Sequence, residues 1–250
     1  MSIAVVTAWH NEAMIAPFFL SHYAYADKIH IVMGEDTTDE SREICARYPN
    51  VEIEDFTFPD MLLDDVIKVH KMNECVAKQK TDWAYLVDAD EFVFPIDGED
   101  PEDVLLRQAG NLMYARLWNV FRHRTEKDLD PSKPTIWQRR HGNPDHSTPG
   151  AYKTQYVKPV IVRPEFGFEW YAGNHMCRYN AEMVVSEESF VGAHWQMADA
   201  DMAIVRRIKG MKDRLSETNK RYGMSDQCYN LTEESIRAEC ERHLDDPQLF

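Results

Sequence analysis

The sequence lacks the features that mark several common classes of protein. Its five cysteines form no CxxC pair, which argues against a zinc finger or a disulfide framework and favours a reducing compartment. No apolar run is long enough for a transmembrane helix, and the first residues do not have the pattern of a signal peptide. We therefore expect a cytoplasmic protein, and peripheral contact with the inner face of the membrane is compatible with the sequence.

Positive charge is also scarce. The chain has 28 Lys and Arg against 43 Asp and Glu, a formal net charge of -15. Such an excess of negative charge repels polyanions, so no nucleic-acid partner is expected. A small phosphate compound whose charge is neutralised by a metal ion remains compatible with it. The sequence carries no indication of the oligomeric state.

Hydrophobic periodicity predicts an α/β fold. Apolar runs that suit strands alternate with amphipathic stretches that suit helices through the first part of the chain. Strands are predicted at 3–8, 28–33, 51–56, 83–93, 111–121, 158–164 and 183–190. Helices are predicted in the apolar-rich stretch that ends at 25, at 41–48, 64–80 and 199–218, and after a helix start at 230–233. This order predicts a mixed, mainly parallel sheet flanked by helices, with a helical C-terminal segment.

One predicted strand, 83–93, is a hydrophobic run that meets three carboxylates: Asp88, Asp90 and Glu91. In an extended segment Asp88 and Asp90 would lie on one face, where hard cations prefer oxygen ligands. Ligands of parallel sheets bind beyond the carboxyl ends of the strands. The turns at 9–12, 34–39 and 88–91 should therefore converge at one edge of the sheet and form a metal-assisted site.

Four motifs together resemble a known family. They are Trp9-His10-Asn11-Glu12, the turn Gly34-Glu35-Asp36-Thr37-Thr38-Asp39, Asp88-Ala89-Asp90-Glu91, and the later His175 and His194-Trp195. This set is similar to the nucleotide-sugar glycosyltransferases of the GT-A fold, a Rossmann-like α/β fold, and most similar to the family-two-like bacterial group. The resemblance is good over residues 1–95 and patchy afterwards.

The resemblance implies an activity and its cofactors. A sugar would be transferred from a nucleotide diphosphate sugar to a hydroxyl of a glycan or a lipid-linked acceptor. The expected donor is a UDP-sugar, and the transfer would invert the anomeric centre. Mn²⁺ or Mg²⁺ would neutralise the charge that develops on the diphosphate. Residues 1–220 would form the transferase domain, with a donor-binding half at 1–95 and an acceptor-side half at 96–220. Residues 221–250 would be a helical extension.

The resemblance also implies roles for individual residues. The predicted donor-binding residues are Thr7, Trp9, Asn11, Glu12, Asp36, Lys71 and Asp88, and the predicted metal ligands are Asp88, Asp90 and His194. Four of them have a structural alternative: Asn11 and Asp36 suit helix caps, Trp9 suits the edge of the core, and Lys71 suits a solvated helix face.

The residue that accepts the proton of the acceptor hydroxyl is not identified by a motif. His175, Glu169 and Asp145 are the candidates, because the paired acidic motif that marks the base in family-two enzymes is absent. Arg206, Arg207 and Lys209 are candidates for holding the diphosphate. Two other classes of function use the same acidic strand end: a nucleotidyltransferase or metal-dependent hydrolase, and a sugar-nucleotide-binding module without catalysis. A nucleotidyltransferase would normally carry a glycine-rich phosphate loop near the first strand, which this chain lacks.

Overall fold

Apolar runs rich in β-branched residues form the strands of the computed structural model, which describes residues 1–143, 155–179, 182–186, 190–225 and 228–250. The strands are β1 Ile3–Trp9, β2 Lys28–Gly34, β3 Val51–Phe56, β4 Trp83–Leu86, β5 Glu91–Pro95, β6 Leu112–Phe121, β7 Gln155–Val162, β8 Phe168–Trp170, β9 Cys177–Tyr179 and β10 Phe190–Met197. The helices are α1 Ala16–His22, α2 Ser41–Cys45, α3 Asp65–Ala77, α4 Pro101–Leu106, α5 Ala200–Ala203, α6 Glu217–Tyr222 and α7 Glu233–Arg242.

Eight strands form one sheet in the order β3-β2-β1-β4-β7-β6-β10-β5. The first four are parallel, β7 runs antiparallel to both of its neighbours, β10 is parallel to β6, and β5 is antiparallel to β10. β8 and β9 form a separate hairpin. The predicted α/β class with a mixed, mainly parallel sheet is therefore confirmed, and the carboxyl ends of β1, β2 and β4 lie at one edge.

Helix α3 packs on β1 and β2 because its apolar residues share one face. Asp64 caps its N-terminus, with the side-chain Oδ1 accepting from the backbone N–H groups of Val66 and Ile67 at 3.0 and 3.1 Å. The buried positions Val69, Met72, Cys75 and Val76 recur at helical spacing. The helix therefore has a fixed rotation, which decides which of its lysines face the sheet edge.

The predicted strand 83–93 is wrong in one respect, since the structure divides it. β4 pairs with β1 in the middle of the sheet, whereas β5 pairs with β10 at the far edge. Between them the chain turns, and the N–H of Glu91 donates to the carbonyl of Asp88 at 3.0 Å. Asp88 and Asp90 therefore lie in a turn rather than on one face of an extended segment, and Glu91 begins β5.

The strands and helices in the last third of the chain also differ from those that the hydrophobic periodicity predicts. Residues 182–186 form only an isolated bridge rather than the start of a predicted strand, and β10 begins at Phe190. The predicted helix 199–218 is broken: α5 continues as a π-helix over Ile204–Lys209, and a 3₁₀ turn over Lys212–Arg214 precedes α6. The helix predicted after a start at 230–233 is α7, whose N-cap is Thr232. None of the helices in the described ranges combines the length and the apolarity needed to cross a membrane.

Candidate active site

The turns after β1 and β2 are joined by Asn11. Its backbone has a φ of 52°, in the left-handed region that asparagine tolerates better than most residues. The side-chain Oδ1 accepts from the backbone N–H of Thr38 at 2.8 Å and of Asp39 at 3.2 Å. The N–H of Glu12 donates to Ser41 Oγ at 2.9 Å. Asn11 therefore caps the neighbouring turn and fixes the two strand ends relative to each other.

Arg206, on the π-helix, joins the first turn to the turn after β4. Its Nε and Nη2 donate to the two carboxylate oxygens of Glu12 at 2.5 and 3.1 Å, and its Nη1 donates to Asp90 Oδ2 at 2.8 Å. All three side chains are largely shielded from solvent, with exposures of 9% for Arg206, 13% for Glu12 and 12% for Asp90. Charged hydrogen bonds of this kind are strong and directional.

Two lysines hold the other carboxylates of the turn. Lys158 of β7 pairs with Glu91 and lies 3.4 Å from Asp88 Oδ2, while Lys68 of α3 lies 3.4 Å from Asp88 Oδ1 and 3.2 Å from Asp65 Oδ1. Glu91 Oε2 also accepts from the backbone N–H of Asp88 at 3.0 Å. Asp88 keeps a side-chain exposure of 27%, against 12% for Asp90 and 1% for Glu91, so it is the most exposed carboxylate of this turn.

The cations decide the ionisation of these groups. Burial raises the pKa of Asp88, but Lys68 and Lys158 outweigh it and hold the pKa at about 2. Burial likewise opposes ionisation of Asp90, yet Arg206 and His194 keep its pKa well below the ordinary value. At Glu12 burial dominates and raises the pKa in spite of Arg206. Burial disfavours the charge of Lys158 and Lys68, and the neighbouring carboxylates raise the pKa of both.

Five carboxylates thus face three cations of fixed charge. The carboxylates belong to Glu12, Asp65, Asp88, Asp90 and Glu91, and the cations are Lys68, Lys158 and Arg206. By formal charge these carboxylates exceed these cations by two, which equals the charge of one divalent cation. The donor set is therefore suited by chemistry to Mg²⁺ or Mn²⁺, which take oxygen ligands from one or two carboxylates and from substrate phosphates.

His194 lies beside this cluster, in the middle of β10. Its Nδ1 is 2.7 Å from Asn119 Oδ1, and its Nε2 is 3.5 Å from Asp90 Oδ2. When the carbonyl oxygen of Asn119 accepts from Nδ1–H, Nε2 faces a carboxylate and needs a proton or a cation between the two atoms. The three predicted metal ligands, Asp88, Asp90 and His194, do not bring three ligand atoms within 4.8 Å of one another. In the described part of the chain, another group of residues meets this distance limit.

Several predicted donor-binding residues have structural contacts. Trp9 is 2% exposed and packs edge-to-face on Phe19 with ring centroids 5.4 Å apart, so its ring is in the core rather than free to stack on a base. Its Nε1 donates to Thr7 Oγ1 at 3.2 Å, and Thr7 is fully buried. Asp36 pairs with Arg214 Nη2 at 2.5 Å and keeps a side-chain exposure of 23%. Of these, Asp36 is the one that a ligand can reach.

The prediction for Lys71 needs correction. This lysine pairs with Glu54 of β3 and lies 3.7 Å from Glu74, on the side of α3 that faces the outer strand. The lysine of α3 that reaches the acidic turn is Lys68, three residues earlier. The difference is one turn of the helix, which the apolar pattern of α3 did not resolve.

Two of the three candidates for the catalytic base lie in the hairpin of β8 and β9. Glu169 lies on β8 and pairs with Arg178 of β9, and both side chains are half-exposed. His175 is exposed in the turn of this hairpin. Asp145 lies outside the described residues. The carboxylate of Glu169 can act as a base only when its pair with Arg178 opens.

Five residues of the site were not singled out in the sequence: Asp65, Lys68, Lys158, Asn119 and Arg214. Lys158 is the first residue of the predicted strand 158–164, directly before its apolar run, and it is 4% exposed in the structure. A lysine in a buried strand must be paired, so its position was the available signal. Of the three basic residues proposed to hold the diphosphate, Arg206 is at the cluster, whereas Lys209 is exposed and Arg207 lies 3.2 Å from Cys228 Sγ.

No protein-family model and no curated protein matches the chain. A solved structure that is similar is the crystal structure of S. aureus TarS 1-349, with 11% identity, 98% of this chain and 71% of that chain covered, and a TM-score of 0.43. The TarS structure in complex with UDP-GlcNAc covers 98% of this chain and 72% of that chain at 11% identity and a TM-score of 0.40. The crystal structure of 4-diphosphocytidyl-2C-methyl-D-erythritol synthase covers 66% of this chain and 77% of that chain at 11% identity and a TM-score of 0.37. These identities and TM-scores assign no activity to this chain.

Proposed function

We propose that this protein is a glycosyltransferase that moves a sugar from a nucleotide diphosphate sugar to a hydroxyl of a glycan or a lipid-linked acceptor. The observation that carries the proposal is the junction at Arg206, which links the turn after β1 through Glu12 to the turn after β4 through Asp90. The motifs that resemble those of nucleotide-sugar transferases are therefore in contact, at the edge where ligands of parallel sheets bind.

The charges of this edge suit a diphosphate leaving group. In the transfer, the bond between the anomeric carbon and a diphosphate oxygen breaks while a bond to the acceptor oxygen forms. The negative charge that develops on the diphosphate must be stabilised by groups already in place. Lys68, Lys158 and Arg206 are cations held in position by Asp88, Asp90 and Glu91. We assign them to the phosphate side of the donor.

A divalent cation completes this assignment. Asp88 and Asp90 would hold Mn²⁺ or Mg²⁺ together with oxygens of the donor diphosphate, with His194 Nε2 as a further ligand. The ion would neutralise the leaving group. The support is the charge excess of the cluster and the position of Nε2, 3.5 Å from Asp90. Because two carboxylates do not make a complete protein site, we expect the ion to bind with the nucleotide rather than before it.

The nucleoside end of the donor is assigned to the turns after β1 and β2. Asp36 and Asn11 lie at this end, and the partly exposed carboxylate of Asp36 can accept a ribose hydroxyl or a base N–H. Gly34 keeps this turn open, because a Cβ there would lie 2.8 Å from Asp36 Oδ1. Thr7 and Trp9 support the turn from the core, and a uridine nucleotide is our first expectation for the base.

The acceptor side carries the proton transfer of an inverting reaction. His175, Glu169 and Asp145 remain the proposed bases, and each lies in or near the segment that follows β6. A cytoplasmic protein with this activity would use its acceptor either free or at the inner face of the membrane.

A thermal-shift screen tests the proposal. The purified protein is heated with UDP, GDP, CDP, CMP and the corresponding nucleotide sugars, each with and without Mn²⁺. We expect a nucleoside diphosphate to raise the melting temperature, with a larger effect in Mn²⁺. Asp90→Asn should abolish the shift, whereas Asp97→Asn, at an exposed position outside the cluster, should keep it. No shift with any nucleotide would contradict the proposal.

A further inference from the structure

A second group of metal-ligating side chains lies two turns further along α3 than Lys68. It consists of His30 of β2, Glu54 of β3 and Cys75 of α3, whose ligand atoms all lie within 4.8 Å of one another. Among the described residues, this is the group of three or more His, Cys, Asp or Glu side chains that meets this distance limit. Glu54 Oε2 is 3.0 Å from His30 Nε2 and 3.4 Å from Cys75 Sγ. His30 and Cys75 are buried, with exposures of 3% and 0%, and Glu54 keeps a side-chain exposure of 30%.

The spacing of these atoms suits a tetrahedral ion. Zinc is bound by nitrogen and oxygen at about 2.0 Å and by thiolate sulfur at about 2.3 Å, so ligand atoms around it lie roughly 3.3–3.6 Å apart. The separations from Glu54 Oε2 to the other two ligand atoms, 3.0 and 3.4 Å, are close to these values. The partly exposed face at Glu54 leaves a direction from which an ion and a water molecule can enter.

The charged residues around the three ligand side chains leave room for a metal ion to bind. Lys71 pairs with Glu54 through Oε1, the oxygen that does not face the other two ligands, and Lys78 Nζ is 3.8 Å from the same atom. Lys71 has a second carboxylate, Glu74 at 3.7 Å, to which it can turn. Behind the imidazole, Gln79 Nε2 is 3.5 Å and Glu52 Oε1 is 3.9 Å from His30 Nδ1. A carboxylate that moves to hydrogen-bond distance of this nitrogen would orient the ring, as it does for many zinc-binding histidines.

We propose that His30, Glu54 and Cys75 bind one zinc ion, at a site separate from the donor site. Zinc takes the imidazole nitrogen, one carboxylate oxygen and the thiolate, and the thiol proton is released to solvent. With one carboxylate and one thiolate the ion is neutralised, and a water molecule fills the fourth position. Because α3 carries both Cys75 and Lys68, the ion fixes this helix against β2 and β3 and thereby the lysine that reaches Asp88.

Cobalt titration of the purified full-length chain tests the site. The protein is freed of metal with a chelator and titrated with Co²⁺ in excess Mg²⁺, which occupies oxygen-only sites and does not compete for thiolate. We expect one Co²⁺ per chain, with the charge-transfer absorption of a cobalt–thiolate bond and the visible bands of tetrahedral Co²⁺. Zn²⁺ should displace the cobalt and raise the melting temperature.

Matched variants locate the binding. Cys75→Ser should abolish the charge-transfer band and weaken Co²⁺ binding by more than about 100-fold, whereas Cys45→Ser, at another buried free cysteine, should keep both. Glu54→Gln should weaken Co²⁺ binding but keep the charge-transfer band when the site is saturated. Circular dichroism shows whether each variant is folded. A hydrogen-bonded cluster without a metal function would give no charge-transfer band with the folded wild-type chain. That result, or a band that persists in Cys75→Ser, overturns the proposal.

Discussion

The guanidinium of Arg206 lies against the carboxylate of Glu12, 194 positions earlier in the chain, with Nε and Oε2 2.5 Å apart. The same guanidinium donates to Asp90, so one cation separates two carboxylates that would otherwise repel each other. The contact joins a helix near the C-terminus to the first turn of the fold. The integrity of the site and the stability of the fold are therefore coupled at this residue.

Replacing Arg206 should destabilise the protein strongly. Arg206→Ala leaves Glu12 and Asp90 buried without their cation, and we expect a loss of about 3–5 kcal/mol in the free energy of unfolding. Arg206→Lys should lose less, although a single ammonium cannot serve both carboxylates as the guanidinium does. Urea unfolding measures both. Lys209→Ala, at an exposed position on the same helix, should change stability by under about 0.5 kcal/mol. Equal losses for Arg206→Ala and Lys209→Ala would contradict the account.

Two lysines of α3 provide a matched pair for the donor site. Lys68 reaches Asp88, whereas Lys71, one turn further along, pairs with Glu54. Lys68→Ala should weaken nucleoside diphosphate binding about tenfold or more, because a charged hydrogen bond contributes about 1.5–3 kcal/mol. Lys71→Ala should change it less than about twofold. Isothermal titration calorimetry distinguishes the two, and a larger effect at Lys71 would place the diphosphate elsewhere.

The pKa of Asp88 predicts a dependence of stability on pH. Since its pKa of about 2 in the folded protein lies below the ordinary value of 3.8, the ionised group stabilises the fold above about pH 4. This contribution, about 2 kcal/mol from the size of the shift, is lost as the pH falls from 4 towards 2. Asp88→Asn should therefore be less stable than wild type at pH 7, and the difference should shrink through that interval. Unfolding in urea at a series of pH values measures it, and Asp97→Asn should show no such trend.

How much of this site the sequence predicts depends on how local each feature is. The convergence of Asn11, Asp36 and Asp88 follows from parallel strands of the first half, which alternate with helices in a regular pattern. Lys158 could not be placed, because its strand β7 runs antiparallel between β4 and β6, and nothing local to residues 155–162 determines that pairing. The rotation of α3, which selects Lys68 over Lys71, is likewise set by tertiary packing.

Metal and nucleotide should bind cooperatively. Two carboxylates and an imidazole at 3.5 Å from one of them form an incomplete protein site, and the donor diphosphate supplies the missing oxygens. We expect Mn²⁺ to tighten UDP binding about tenfold or more, and UDP to tighten Mn²⁺ binding by the same factor. His194→Ala should reduce this coupling, whereas His70→Ala, at an exposed position of α3, should not. Calorimetry with each ligand alone and with both measures the coupling. UDP binding that is equally tight in a chelator would show that Lys68, Lys158 and Arg206 suffice.

The central claim is transfer of a sugar from a nucleotide diphosphate donor, and product analysis of the donor reaction tests it most directly. The protein is incubated with the nucleotide sugar that stabilises it, Mn²⁺ and a cell extract as the source of acceptor, and the nucleotide products and the labelled sugar are quantified. We predict one nucleoside diphosphate released for each sugar joined to an acceptor, with the rate reduced about 100-fold or more in Asp90→Asn. Release of pyrophosphate would indicate a nucleotidyltransferase, release of free sugar would indicate a hydrolase, and donor binding without turnover would indicate a binding module. Any of these three results would contradict the account.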